Sequence, residues 1–558
     1  MNKSNNLRLD LFLIIIFCIG YLVLSVSVAN HYGMTWDQAE ADWFVAEKNL
    51  DYLLSFDKSH LDFEIAYEYQ PYPDHPRFFC RVNPWGVMYF GNFLSAIGCR
   101  VFFAGLRIVA DPFTAHYIPN FLMITAVLAI VYFFIKRRWG VLCALISLSA
   151  IIFQPRFFAG SHINTKDIPY ACLMTFTLFS ARKAVLTRSG GWMFFSAVLF
   201  GLSTATKLNS PLILAIILLW VLFSYRDIQA GYFDKIEYSK KIFFTGAIIS
   251  IPFVAFLSFL AVWPYMWLNT FSNISKYLGH YLSLAGKGPP CIQWNTLFLF
   301  ISVQPPIMLV FGFVGIIVCL RNILLSRHRE EMVFLMLWFV LPVGRMLLPR
   351  MYNFDGVRHF IEYAIPWGII NGIGVNAVLN VIVEFAKNRW GKIFGYTIEV
   401  VLPGFFIAWL CCLVYYYHPY EIAYFNFLVG GLKGAQEKWD DAGDYWGSSY
   451  RNGVKWFNEN AEIGALILTP ISGYIILANK EQWLRKDLRL AILEFQDTSS
   501  AEEVVRYFNG KGFSSIYAIY ITRKGWYNRF VNDVERKWKQ VHTIEVDGYP
   551  ILKIMKYQ

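Results

Sequence analysis

The sequence predicts a membrane protein that is all-α in its spanning part, with about eleven transmembrane helices and a small soluble α/β domain at the C-terminal end. Three observations carry that expectation. The 558 residues are 56 % hydrophobic and only 16 % charged, too apolar for an ordinary soluble enzyme. The apolar residues come in long runs rather than short alternating patches. The Lys and Arg residues gather in short segments between those runs, as orientation in a membrane requires.

Runs able to span lie near residues 11–30, 116–135, 141–154, 168–181, 192–206, 210–224, 242–263, 297–320, 332–348, 361–384 and 394–416. The first carries no charge and no small-residue cleavage pattern follows it, so it reads as a retained anchor. Residues 85–110 are also apolar, but Arg100, Arg107 and several glycines interrupt them. They read as an amphipathic helix lying in the interface. Eighteen Lys and Arg fall in one set of loops, with clusters at 136–138, 182–188 and 387–392, against seven in the other set. That asymmetry puts the first set and the N-terminus in the cytoplasm. An odd number of spans then puts residues 31–115 and the C-terminal region outside. The net charge of +11 thus reflects orientation in a membrane and not a nucleic-acid partner.

The expected division is a membrane domain over 1–417, with its large outer loop at 31–115, and a C-terminal domain over 418–558. In the latter, β-rich runs at 465–468, 475–477 and 516–521 accompany a helical stretch at 501–508. No internal repeat stands out. The nine cysteines have no metal-ligand spacing. Six lie in apolar runs, while Cys80 and Cys291 fall in polar loops on one side and leave a disulfide between them open.

The chemistry begins directly after the first span, where Asp37, Glu40 and Asp42 sit within a few residues of the membrane surface. Carboxylates beside hydrocarbon are costly to keep charged and are often functional. A plainer reading makes them an acidic helix start, with Thr35 or Asp37 as N-cap and Glu40 in the first turn, and both readings can hold together. Three further outer loops put cations or histidines at the mouth of the membrane: Arg156, His162 and Lys166 in 155–170, Lys207 in 204–209, and Arg358 and His359 in 349–360. A lipid-linked phosphate needs that arrangement. Its tail lies along apolar helices while interfacial Lys and Arg hold the phosphate and stabilise the charge that builds as it leaves. The competing reading is that Lys166, Lys207 and Arg358 snorkel, or pair with Asp167 and Asp355.

Taken in order along the chain, these motifs resemble those of the membrane-embedded glycosyltransferases of the GT-C class, which use a polyprenyl-phosphate-linked sugar. That class includes protein O-mannosyltransferases and the bacterial aminoarabinose transferases that decorate lipid A. Trp36-Asp37-Gln38-Ala39-Glu40 looks like the acidic motif of their first outer loop. Lys166-Asp167-Ile168-Pro169, Thr206-Lys207-Leu208-Asn209 and Asp355-Gly356-Val357-Arg358-His359-Phe360 resemble three more of their segments. His418-Pro419-Tyr420, Asn426, Gly430, Gly431 and Asp444-Tyr445-Trp446-Gly447 look like the start of their C-terminal region. Gln38 stands where the commoner form has Glu, and residues 461–558 match nothing in the pattern.

The resemblance implies a bacterial cell-membrane enzyme that moves a monosaccharide from a polyprenyl monophosphate to a hydroxyl of a protein, lipid or glycan acceptor outside the cytoplasm. A single displacement would invert the anomeric centre, with Asp37 as general base and Glu40 or Asp42 orienting the acceptor or a divalent metal, whose involvement is left open. Arg156, His162, Lys166, Lys207, Arg358 and His359 would form the phosphate site. Trp36, Trp43, Tyr69, Tyr72, Trp85, Trp263 and Trp267 suit stacking on sugar faces, or an interfacial belt. Two other classes compete. A transporter or flippase of a lipid-linked sugar would show inverted repeats and polar midplane residues, and neither is clear. A non-catalytic assembly protein leaves the acidic first loop without a role.

Overall fold

A computed structural model describes residues 3–69, 77–85, 87, 89–232, 238–284, 286–351, 353–493 and 499–558. Tyr72, Lys235 and Tyr352 lie outside the described residues. Six helical segments are long and apolar enough to cross a membrane: Arg8–His31, Pro112–Ile152, Ser239–Ala261, Pro306–Leu324, Gly356–Trp390 and Lys392–Tyr417. Two shorter apolar helices, Gly190–Thr206 and Pro211–Phe223, accompany them. The chain is an integral membrane protein.

The other runs expected to span are also helical, and their departures have local causes. The runs at 116–135 and 141–154 form one kinked segment, because Gly140 turns the chain at φ 87°, ψ 174°. The run at 297–320 breaks into Trp294–Ser302 and Pro306–Leu324 at the Pro305-Pro306 pair. Arg329–Arg345 opens on Glu330 and Glu331, and Asp167–Thr187 carries Arg182 and Lys183 near its end. Tyr238–Ala261 and Asp167–Thr187 both pack on Gly190–Thr206, and Ala364–Trp390 packs on Pro112–Ile152 and Pro306–Leu324. The last of these contacts is close. A side chain at Gly312 would meet the Trp367 ring, and one at Gly374 would meet the Phe311 carbonyl.

The described residues of 31–115 pack at one end of this bundle. They contain the helix Trp43–Ser55, the antiparallel pair β1 (Ile65–Tyr69) and β2 (Phe78–Arg81), and the helix Tyr89–Gly98 continued by a π-helical stretch Cys99–Gly105. The apolar segment around 85–110 is therefore helical over 89–105. Cys80 and Cys291 are free thiols, one buried in β2 and the other exposed, so the disulfide left open by the sequence is not formed.

The C-terminal region holds a five-stranded sheet, in the order β4-β3-β5-β7-β6. The strands are β3 (Leu466–Thr469), β4 (Arg489–Ile492), β5 (Ile516–Ile521), β6 (Lys539–Val546) and β7 (Tyr549–Lys556). β3 runs parallel to β4 and β5, whereas β7 is antiparallel to β5 and β6. Asp547 and Gly548, both at positive φ, close the β6–β7 hairpin, as a two-residue Asp-Gly turn favours. The runs at 465–468 and 516–521 are strands, and Ala501–Phe508 is a helix with a Ser500–Glu503 capping box. The run at 475–477 is not a strand. Tyr474–Ala478 is a short helix, because three buried apolar residues in a row carry no period that separates the two states.

Candidate active site

Helix formation after the first span starts at Thr35, which acts through its backbone. Its carbonyl accepts from the Ala39 N–H at 3.0 Å, and its N–H donates to Gln38 Oε1 at 3.0 Å. Asp37 lies inside the helix with αR angles and caps nothing. Gln38, where the related motif carries Glu, is buried as a cross-link. Its amide donates to the Ile163 carbonyl at 3.1 Å, and its oxygen accepts from the Tyr117 hydroxyl at 3.1 Å. A carboxylate could not make the first of those bonds.

The next five residues, Gln38–Asp42, form a π-helix. On an α-helix, residues five apart point about 140° away from each other, but the wider π turn brings them toward one face. Asp37 and Asp42 accordingly meet the same ammonium. Lys166 Nζ is 2.6 Å from Asp37 Oδ2 and 3.2 Å from Asp42 Oδ2. Lys166 is fixed in turn by Asn164, whose Oδ1 accepts the backbone N–H groups of Lys166 at 3.1 Å and Asp167 at 2.8 Å.

Arg358 closes the other side. Its Nη1 lies 3.0 Å from Asp37 Oδ2 and its Nη2 lies 2.7 Å from Asp355 Oδ2. The guanidinium sits over the Trp446 ring at 4.7 Å. Asp355 and Gly356, both at positive φ, turn the chain just before Arg358. Asp355 also accepts from Arg523, which follows β5. Arg523 donates to the Tyr445 carbonyl at 3.0 Å and lies over Trp36 and Trp526 at 5.3 Å each. Behind them Lys207 Nζ sits 2.7 Å from Asp167 Oδ1 and 3.2 Å from the His359 carbonyl, with both side chains buried. The result is one chain of alternating charge, Asp42–Lys166–Asp37–Arg358–Asp355–Arg523, flanked by the Lys207–Asp167 pair.

The charges divide the carboxyls. Burial alone would raise Asp37, but Lys166 and then Arg358 hold it below the usual range. Asp42 is raised, because burial outweighs Lys166. Glu40 is pushed up to about 7, first by the surrounding protein and then by the charges of Asp37 and Asp42. Folded Glu40 thus keeps a proton that the unfolded chain releases between about pH 4.5 and 7. The Glu40 side chain is exposed, so solvent screens the shift and only a small contribution to stability, full below that window, is lost as pH rises through it. Glu40→Gln should therefore flatten the fall of melting temperature across the window. Superimposable curves for the two proteins would show an ordinary carboxyl at Glu40.

Of the residues expected to hold phosphate, Lys166, Lys207 and Arg358 are brought together, each already paired with an aspartate. His359 contributes its carbonyl oxygen, while its ring packs against Phe354 at 4.4 Å. His162 is not in the cluster. It stacks on Tyr32 at 4.7 Å, and its Nδ1 faces the Phe158 carbonyl at 2.8 Å. Arg156 pairs with no aspartate among the described residues. It is buried and donates from Nη2 to the Tyr424 carbonyl at 3.1 Å, but its Nε and Nη1 have no hydrogen-bond partner among the described residues. The Nε of Arg358 is likewise without a partner among them, and the two arginines line one small cavity of about 20 Å³ with Asn164 and Trp446.

Of the aromatic residues, Trp36 borders the cluster through Arg523, whereas Trp263 is fully buried against Tyr89 at 5.0 Å and Trp43 is stacked on His116 at 3.8 Å. Asp37 and Asp42 converge on an ammonium, and no group of three or more His, Cys, Asp or Glu among the described residues could hold a metal ion. The arrangement does not fit a divalent ion. Arg523, Asn164 and the linking role of Gln38 were not foreseen from the sequence.

Residues 101–259 match the model of the dolichyl-phosphate-mannose-protein mannosyltransferase family. The matched stretch includes Lys166–Pro169 and Thr206–Asn209, two of the segments that carry the resemblance to polyprenyl-phosphate-sugar transferases. No curated protein matches the chain. Among solved structures, ArnT from Cupriavidus metallidurans bound to undecaprenyl phosphate aligns with a TM-score of 0.48 at 10 % identity, covering 98 % of this chain and 97 % of that one. The same enzyme in the apo state aligns with a TM-score of 0.46 at 11 % identity over the same shares.

Proposed function

We propose that this chain is a glycosyltransferase that moves a monosaccharide from a polyprenyl monophosphate to a hydroxyl acceptor outside the cytoplasm. The observation that carries the reading is the placement of Asp37 between Lys166 and Arg358, beside a buried Arg156 with unmet N–H groups. Buried polar groups are rarely left unpaired, and two arginines on one cavity suit an anionic oxygen. The family match over residues 101–259 supports the reaction class.

The acceptor oxygen attacks the anomeric carbon from the face opposite the phosphate. Its proton passes to the Asp37 carboxylate, the bond from carbon to phosphate oxygen breaks, and the configuration inverts. Polyprenyl phosphate leaves with the added negative charge, which Arg156 and Arg358 stabilise, with Lys166 beside them. At rest Asp37 is ionised but is a weak base, because two cations hold it. A phosphate that draws N–H groups of Arg358 to itself removes part of that hold and raises the basicity of Asp37. Glu40 or Asp42, on the same turn, orients the acceptor.

Purified protein given a polyprenyl monophosphate sugar and a hydroxyl acceptor should form glycoside and free polyprenyl phosphate. Movement of intact donor across vesicles without transfer would favour a flippase instead. Arg156→Gln should weaken donor binding at least about tenfold, since a charge-assisted bond contributes about 1.5–3 kcal/mol, and it disturbs no carboxylate pair. Unchanged donor affinity in a folded variant would remove Arg156 from the phosphate site. The proposed side of the membrane is checked by cysteine labelling of intact cells: sites introduced at 481–486 should react and sites at 183–188 should not. The reverse pattern would invert the orientation.

A further inference from the structure

A cavity of about 950 Å³ lies among the helices Pro112–Ile152, Asp167–Thr187, Gly190–Thr206 and Arg329–Arg345, far from the carboxylate cluster. Sixteen residues of one helix separate Asp167 in the cluster from Lys183 in the cavity, which at about 1.5 Å per residue is roughly 24 Å. Its apolar wall is largely aromatic, formed by Phe133, Phe176, Phe179, Trp192 and Phe195. Phe133, Trp192 and Phe195 are exposed and lie within the apolar helices Pro112–Ile152 and Gly190–Thr206.

The polar rim has four cations and three carboxylates. Two of the three carboxylates are hydrogen-bonded to rim arginines, while Asp227 Oδ2 has no hydrogen bond among the described residues and only a long ion pair. Glu330 accepts from Arg182, with Nε at 2.7 Å, and Glu331 accepts from Arg138 at 2.9 Å. Asp227 faces Arg329 at 3.9 Å. That leaves Arg137 and Lys183 as the two rim cations without a carboxylate among the described residues. Both are exposed, and Lys183 rests over the Trp192 ring at 3.9 Å.

A rim of net positive charge, with two cations unpaired by any carboxylate among the described residues, above an aromatic wall is complementary to an anionic amphiphile. We propose that this cavity binds one anionic glycerophospholipid, with its phosphodiester between Arg137 and Lys183 and its acyl chains along Phe133, Phe176, Phe179 and Phe195. A soluble phosphate would use the cations but not the wall. A zwitterionic lipid would place its ammonium beside the surplus positive charge. Basic-residue asymmetry puts this end of the bundle at the cytoplasmic leaflet, where the field of the bilayer is negative. The site is separate from the proposed donor site and does not depend on the reaction assigned there.

The test is native mass spectrometry of the whole protein in detergent, with phosphatidylglycerol and phosphatidylcholine of equal chain length in competition. Wild type should retain phosphatidylglycerol in preference by about tenfold or more, the scale of a charge-assisted bond. Arg137→Gln with Lys183→Gln should lose that preference, and Arg137→Lys with Lys183→Arg should keep it. Undiminished preference in the glutamine variant, or its loss in the charge-keeping one, would overturn the assignment. So would displacement of the lipid by an equal concentration of glycerol phosphate, which would mark a soluble-anion site. Retention of polyprenyl phosphate in place of phosphatidylglycerol, sensitive to the same substitutions, would overturn the class of lipid.

Discussion

Asp37→Asn is expected to lower turnover by about 10²–10⁴-fold, the usual contribution of a general base, while donor binding changes much less. Asparagine keeps the size of the side chain but cannot accept the proton. Loss of a helix cap, at about 1 kcal/mol, is not an alternative explanation, because Asp37 caps nothing. Loss of the fold is also guarded against. Lys166 keeps Asp42 at 3.2 Å and Arg358 keeps Asp355 at 2.7 Å when the Asp37 charge is gone. Single-turnover sugar transfer alongside donor binding and a melting curve separates these effects. A folded Asp37→Asn protein that binds donor and transfers within a few-fold of wild type would take Asp37 out of the chemistry. The base would then be sought first at Glu40, whose carboxyl at about 7 is matched to neutral pH.

The helical bundle was legible because hydrocarbon imposes a long, charge-free pattern that no other environment requires. The ends of the runs were less so, since a single Gly140 or the Pro305-Pro306 pair decides whether an apolar stretch is one helix or two. Strands β3 and β5 could be read from β-branched and apolar runs of four to six residues. The same kind of run at 475–477 is a helix, because an apolar run this short carries no period that separates helix from strand.

For the candidate site, the acidic first loop and the cations of three other loops were visible as a set, because membrane topology forces them to one face. Their pairing was not visible. Asp37 and Asp42 share Lys166 only because residues 38–42 wind as a π-helix, which helix-forming residues do not announce. Arg523 lies 486 positions after Asp37, and nothing local in its stretch marks it. It is found only once β5 delivers it to Asp355. Arg156 looked like one candidate among six. That its buried Nε and Nη1 lack acceptors among the described residues is a property of the packed interior alone.

Lys207 was expected to touch phosphate, yet its surroundings give it a different expected result. Its ammonium is committed to Asp167 at 2.7 Å and to the His359 carbonyl at 3.2 Å, and its side chain is only 1 % exposed. Removing Lys207 leaves the buried Asp167 charge to the more distant Arg358 Nη1 at 3.9 Å, at a cost of up to about 3–5 kcal/mol. Lys207→Met should therefore melt well below wild type. Asp167→Asn added to it should recover most of the loss, because the amide is neutral and can still bond to Asn164, which donates to Asp167 Oδ2 at 2.8 Å. Donor affinity in the recovered double variant should then lie near that of wild type, as expected of a pair that supports the segment carrying Arg358. Melting curves on the two single variants and the double, with donor binding on the double, decide the matter. A Lys207→Met protein that melts like wild type but binds donor weakly would return Lys207 to the phosphate site and leave Asp167 as its counter-ion at rest.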